Sequence, residues 1–273
     1  MYYREITIAG RTIYIQEKAS SRIKGGMKKR KGKQNVSTEA QKRINDRNAE
    51  RDLAIKLNHN FGNGDYHLVL TYKTAPDQSE AKRNLTNLFQ NVRRWSKKQG
   101  IEFKYIAVTE YEHTRIHHHV VCSKVDEEVL NKYWKHGYVK TTRLDDTGNY
   151  QKLAAYLLKE TNKTFREADN PTKRRYTCSR NIVTPPTMRQ EMKGRPSQEI
   201  KAFKGYYVDQ DSIKIYEHKI LEVECREYML VSLDDEPRIK RWNKGKGVKL
   251  EGQHRINAEE QLNMIELMDE LGW

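Results

Sequence analysis

Arg115-Ile116-His117-His118-His119-Val120-Val121 is the stretch that decides the fold. Its β-branched flanks read as a strand, and alternation along a strand places His117 and His119 on one face with His118 on the other. Two imidazoles side by side on a strand can ligate one divalent cation. Downstream, Tyr156-Leu157-Leu158-Lys159 lies within 150–160, which reads as a helix, and i,i+3 spacing puts Tyr156 and Lys159 on one face. A metal pair on a strand and a tyrosine–lysine pair on a following helix point to phosphoryl transfer to tyrosine.

The flanking sequence extends this into a domain. His67-Leu68-Val69-Leu70-Thr71-Tyr72 reads as a buried strand, and 79–99 as an amphipathic helix with Leu85, Leu88, Phe89, Val92 and Trp95 on one stripe, closed by Gly100. Segments 103–111 and 116–123 read as a hairpin, 126–135 as a short helix, 138–143 as a strand and 149–160 as the helix that carries Tyr156. The order β-α-β-β-α-β-α predicts an α+β fold, an antiparallel sheet with helices packed on one face in the split βαβ layout.

The ends are less regular. Segments 4–8 and 12–16 flank Ala9-Gly10-Arg11 as a small hairpin. Residues 22–33 hold seven basic residues, three glycines and no acid, and read as a phosphate-contacting arm or a solvated linker. Thr38-x-x-Gln41 resembles a capping box opening a polar helix to about Asn58. Its thin apolar stripe predicts a helix that projects from the body or lies along a partner. After about 163, 173–176 and Pro185-Pro186 read as a basic loop, 213–233 as one or two strands and 257–271 as an amphipathic acidic helix. Between 209 and 236 there are nine acids against three Lys or Arg.

Composition narrows the function classes. The chain has 273 residues, a net charge of +15 and 33% charged residues. Its pI near 9.5 and mean hydropathy of −0.99 suit a soluble protein with a polyanionic partner, most simply nucleic acid. Three scattered cysteines form neither a disulfide framework nor a zinc knuckle and suit a reducing, cytoplasmic setting. No apolar run reaches membrane-spanning length, and Met1-Tyr2-Tyr3-Arg4-Glu5 is no signal peptide. There is no Gly-x-x-x-x-Gly-Lys-Ser/Thr, so any helicase work falls to another protein.

Two imidazoles rarely hold a hard cation such as Mg²⁺ without a carboxylate. Glu110, near the end of the strand before the histidines, can face them across the ladder; Glu112 shares its parity but sits at the turn. A site of Glu110, His117 and His119 leaves positions open for a phosphate. Tyr156 is the candidate nucleophile, and Lys159 can neutralise charge developing on the phosphate. Tyr216-Glu217-His218-Lys219 has the same spacing but lies in a strand-like segment, where its ends point to opposite faces. Each feature alone has a bland reading: a surface histidine run, an amphipathic helix pair, a solvated turn glutamate. Together they fit one set of roles.

These residues resemble the rolling-circle replication initiators of the HUH endonuclease superfamily. Leu68-Val69-Leu70-Thr71-Tyr72 is similar to the family's first motif, His117-His118-His119 to its His-hydrophobic-His motif and Tyr156-Leu157-Leu158-Lys159 to its tyrosine motif. The middle position departs from the pattern, with His118 in place of a bulky apolar residue. The resemblance covers about 65–160, and the run to Phe61 is also similar to initiators of phages and mobile elements. It implies nicking of single-stranded or origin DNA, with Tyr156 linked to the 5′ phosphate and a 3′ hydroxyl freed to prime synthesis. It also implies Mg²⁺ or Mn²⁺ as cofactor, a single catalytic tyrosine, and a host helicase or polymerase as a further partner. The expected organisation is a hairpin, arm and helix over 1–60, a nicking domain over 61–165 and a C-terminal extension or small second domain over 166–273. The alternatives are a single-strand transposase or relaxase with the same chemistry, and a non-catalytic nucleic-acid-binding module. The order of histidines before tyrosine and the extra segments weigh against the first.

Overall fold

The computed structural model describes residues 1–19, 39–111, 116–164, 174–197, 199–218 and 223–234. The basic arm at 22–33, Thr38, Glu112 and the expected helix at 257–271 lie outside the described residues. In chain order the first elements are β1 (Tyr2–Ala9), β2 (Thr12–Ala19), α1 (Glu39–Asn60), β3 (Tyr66–Leu70), α2 (Gln78–Lys98), β4 (Tyr105–Glu110) and β5 (His117–Cys122). They are followed by α3 (Glu127–Tyr133), β6 (Val139–Arg143), α4 (Gln151–Thr164), β7 (Thr177–Cys178), β8 (Thr187–Met192), β9 (Tyr206–His218) and β10 (Val223–Ser232). The fold is α+β, with two antiparallel five-stranded sheets. No described helix is long and apolar enough to cross a membrane.

The chain divides into two compact units, Met1–Gln41 with Thr184–Trp273, and Lys42–Val183. These bounds differ from the three consecutive segments expected at 1–60, 61–165 and 166–273. The reason is strand pairing, which joins the N-terminal hairpin to strands from the C-terminal part of the chain.

In the unit formed by the two chain ends the strand order is β8-β1-β2-β10-β9. The β1–β2 hairpin turns at Gly10, whose φ of 58° is left-handed. One face of this sheet buries Ile6, Ile8, Ile13, Ile15, Tyr228 and Leu230 with Phe203. Beyond that apolar patch, on the same face, Glu17 is buried and receives Arg4 Nε at 2.8 Å and the Nε of buried Arg226. One carboxylate between two guanidiniums leaves none of the three charges isolated from a partner.

In Lys42–Val183 the strand order is β6-β3-β5-β4-β7. β5 runs antiparallel to both β3 and β4 and lies between them, so β3-α2-β4 is a split βαβ unit. β3 likewise lies between β5 and β6 in a second such unit, so the two interlock. The helices, expected on one face of the sheet, occupy both. α2 and α3 cover Leu68, Leu70, Ala107, Val120 and Cys122. α1 and α4 cover Ile106, Val108 and Val121. Both parities of β4 and β5 are apolar, so neither face can be left to water.

α1 also corrects an expectation, because it neither projects nor awaits a partner. Its apolar residues concentrate in the C-terminal half, where Leu53, Ala54, Leu57 and the following Phe61 are buried against α4 and the sheet. α4 is docked through Tyr150, Ala154, Leu157 and Leu158, and the Oδ1 of buried Asn58 on α1 accepts the Tyr150 N–H at 2.8 Å. That anchors the start of the helix that carries Tyr156.

The β3–β6 edge is closed by an unusually near approach at Gly137. A Cβ there would stand 2.0 Å from Thr71 O and 2.7 Å from Thr71 C, both backbone atoms. Gly137→Ala is therefore expected to destabilise the domain by about 1–3 kcal/mol through overpacking against a main chain that cannot rotate away. Chemical denaturation checks this, and an unchanged midpoint would show that the edge can open to admit a methyl group.

Candidate active site

The site follows from the register of one hairpin. β4 and β5 pair Glu110 with His117 and Val108 with His119, which puts Glu110, His117 and His119 on the face that α1 and α4 cover. His117 Nε2 lies 3.1 Å from Glu110 Oε2, and His119 Nε2 lies 3.2 Å from Glu110 Oε1. One ligand atom from each of the three residues falls within 4.8 Å of the others. The facing His117 ring, and next the His119 ring, hold the Glu110 carboxyl down to about 2 against the opposing effect of burial.

The donor set fits a divalent cation. His119 Nε2 is buried and makes no hydrogen bond of normal geometry, although a carboxylate oxygen is only 3.2 Å away. A bare ring nitrogen facing an anionic oxygen leaves two lone pairs opposed, and a cation between them satisfies both. Two imidazoles and one carboxylate are a mixed N/O set of the kind that Mn²⁺ accepts readily and Mg²⁺ tolerates.

His118, at the position that departs from the motif, belongs to the other face. It is fully buried; its Nε2 shares a hydrogen bond of 2.9 Å with Tyr72 Oη and its Nδ1 one of 2.8 Å with Thr109 Oγ1. Both ring nitrogens are occupied, so His118 is a satisfied core histidine that ties β3's end to β4 through β5. Trp134 packs edge-on against it, and Tyr72 and Trp134, considered as base-stacking candidates, fill the core. Tyr138 is exposed.

Tyr156 stands beside the triad. Its ring centroid is 5.3 Å from that of His119, edge to face, and the side chain is 53% exposed. The neighbours Leu157 and Leu158 point into the core, which fixes the helix rotation and leaves Tyr156 and Lys159 toward solvent. Tyr150 is buried and donates its hydroxyl hydrogen to Asp145 O at 2.9 Å, which removes it as a rival nucleophile. Tyr216 lies on β9, as expected for a strand residue.

One residue of the site escaped the motif reading. His67 on β3 opposes Val121 and shares the face of His119, with its Nε2 3.2 Å from His119 Nδ1. The two rings stack at 5.3 Å, and His67 also lies edge-on to Tyr156 at 6.3 Å. The available signal was parity: in His67-Leu68-Val69-Leu70 the histidine alternates with residues of the opposite face.

Residues 65–165 match the family model of the replication-associated protein ORF2 type. That span opens just before β3, ends just after α4 and contains every residue named at the site. The match supports kinship with rolling-circle replication initiators and a role in DNA replication. No curated protein and no solved structure matches the chain.

Burial holds His67 down to about 4 and His118 to about 3, with neighbouring histidines adding to both. These rings stay neutral in the fold where histidines of the unfolded chain begin to protonate, at about pH 6.5. The unfolded state then binds more protons, so this stability is full above about pH 6.5 and falls as pH drops toward the native values. Thermal melts of the full chain in EDTA are expected to shift downward between about pH 7 and pH 5. A flat profile would show that both rings charge without leaving their places.

Proposed function

We propose that the Lys42–Val183 unit nicks single-stranded DNA at a replication origin, with Tyr156 as nucleophile and a Mg²⁺ or Mn²⁺ ion held by Glu110, His117 and His119. The observation that carries this reading is the tyrosine ring 5.3 Å from His119, one of three residues whose ligand atoms lie within 4.8 Å of one another. A divalent cation held there supplies charge neutralisation and orientation of the scissile phosphate.

The chain's own residues supply the rest. Tyr156 Oη attacks the phosphorus in line, so the Oη–P bond forms as the P–O3′ bond breaks. The phenolic proton passes to solvent and the leaving 3′ oxygen takes one up, which yields a 5′-phosphotyrosine link and a free 3′ hydroxyl. A neutral phenol is a weak nucleophile, so the electrophile must be activated and its geometry set beforehand. Lys159, one helical turn on, balances negative charge building on the phosphate oxygens. Exposure of Tyr156 matches a substrate that arrives as a polymer from solvent.

His67 acts here as a positioning residue. A His119 that presents a bare Nε2 to the metal carries its proton on Nδ1, and His67 Nε2 at 3.2 Å accepts it. That fixes both the tautomer and the ring plane of the ligand.

An oligonucleotide bearing the element's origin sequence tests the reading. Wild type with Mn²⁺ is expected to form a covalent protein–DNA adduct, with none in EDTA and none for Tyr156→Phe. Binding without an adduct under all conditions would overturn nicking and leave a DNA-binding module. For the positioning role, His67→Ala is expected to raise the Mn²⁺ concentration for half-maximal cleavage by about 10–100-fold, with His67→Gln restoring part of it through its amide oxygen. An unchanged metal requirement would remove His67 from the site.

A further inference from the structure

The largest basic cavity of the Lys42–Val183 unit lies away from the metal ligands, on the α2 side of the sheet. It encloses about 300 Å³ between α2 and the β4 edge, where β7 pairs with only Ile106 and Ala107 and leaves the rest of β4 uncovered by a strand. Lys82 and Arg93 from α2 and Arg174 from the segment before β7 stand around it, and all three are exposed. None of the three is in an ion pair with a described residue, and no acidic side chain is among the described residues that line the cavity. Arg175, also at its edge, differs: its Nη1 is held by Asp46 Oδ1 at 2.7 Å.

The wall beneath these cations is aromatic and preformed. Tyr105 stacks on buried Phe89 with centroids 3.6 Å apart and ring planes 17° from parallel, and Tyr111 extends the lining. Thr109 lines the cavity too, and it is the neighbour of Glu110 with its side chain on the opposite face. The cavity therefore opens at the same end of β4 that carries the metal carboxylate.

Three unpaired cations cost folding free energy through mutual repulsion unless an anion is meant to join them. Guanidinium groups match phosphate oxygens bidentately, and an aromatic wall beside them takes a base by stacking. We propose that this cavity holds one nucleotide of the single-stranded DNA, its phosphate on Lys82, Arg93 and Arg174 and its base against Tyr105 and Tyr111. The assignment of the strand as the source rests on the nicking reading; the nucleotide chemistry rests on the cavity itself.

The test is fluorescence anisotropy of a labelled single-stranded oligonucleotide with the full chain in EDTA, so that binding is read without cleavage. Arg93→Gln is compared with Arg94→Gln, its exposed neighbour on α2 that does not line the cavity. Both remove one charge from the same helix, so a diffuse field effect is equal in the two. Arg93→Gln is expected to weaken binding about 10-fold and to lower the salt slope by about 1, while Arg94→Gln stays within about 2-fold of wild type. Equal effects of the two substitutions would overturn the site. Titration with dAMP separates the sources: dAMP binding as tight as the oligonucleotide, and lost in Arg93→Gln, would make this a free-nucleotide pocket and overturn the strand assignment. Absence of an adduct in the cleavage assay with the Arg93/Arg94 difference intact would sink nicking alone.

Discussion

The register of the β4–β5 hairpin is the constraint on which the site depends. Glu110 opposes His117, and Val108 opposes His119, so three ligand-bearing side chains share one face. Strand side chains alternate with a period of two, and a slip of a single residue in one strand would send its ligands to the wrong side of the sheet. Burial guards against that slip. On the metal face Ile106, Val108 and Val121 are packed under α1 and α4, while Ala107, Val120 and Cys122 are packed under α2 and α3 on the other. A slip would break both cores together, so the packing energy of the domain also holds the geometry of the metal ligands.

The same alternation assigns different work to adjacent histidines. His118 is locked by Tyr72 and Thr109 into the α2 face and is a structural residue. His117 and His119 face Glu110, and His119 is backed by His67 from β3. A hydrogen-bonded ring behind a ligand restricts its tautomer and orientation, which matters because metal affinity depends on both. On the helix side, the inward anchors Tyr150, Ala154, Leu157 and Leu158 leave Tyr156 no choice of direction except toward the triad's open flank. Tyrosine and ligands are thus aimed by separate elements, each held by its own apolar contacts.

The second unit is built on another logic. β1 and β2 are completed by β8 and β10, so its sheet exists only once strands more than 160 residues apart have met. The buried Glu17 between Arg4 and Arg226 ties three neighbouring strands at the edge of the Ile6–Leu230 core. Removing the carboxylate would leave a buried guanidinium without its counter-charge, a far larger penalty than loss of an exposed pair.

Much of this was open to reading in the chain itself. Alternation in His117-His118-His119, the helical stripe of 79–99 and the Tyr-x-x-Lys spacing depend on local periods of 2 and 3.6, which are properties of consecutive residues. The β-α-β-β-α-β-α order and the grouping of Glu110 with His117 and His119 followed from them. Three things depended on contacts between residues distant in sequence, and local periods carry no trace of those. His67 became part of the site only because β3 pairs with β5 in the register that sets it beside His119. α1 became core because Asn58, Leu53 and Leu57 meet a helix about 100 residues away, whereas its thin stripe alone reads as a free surface. The N-terminal hairpin found its partners at the far end of the chain, since edge hydrogen bonds can be satisfied by any strand of matching direction and the tertiary fold selects which.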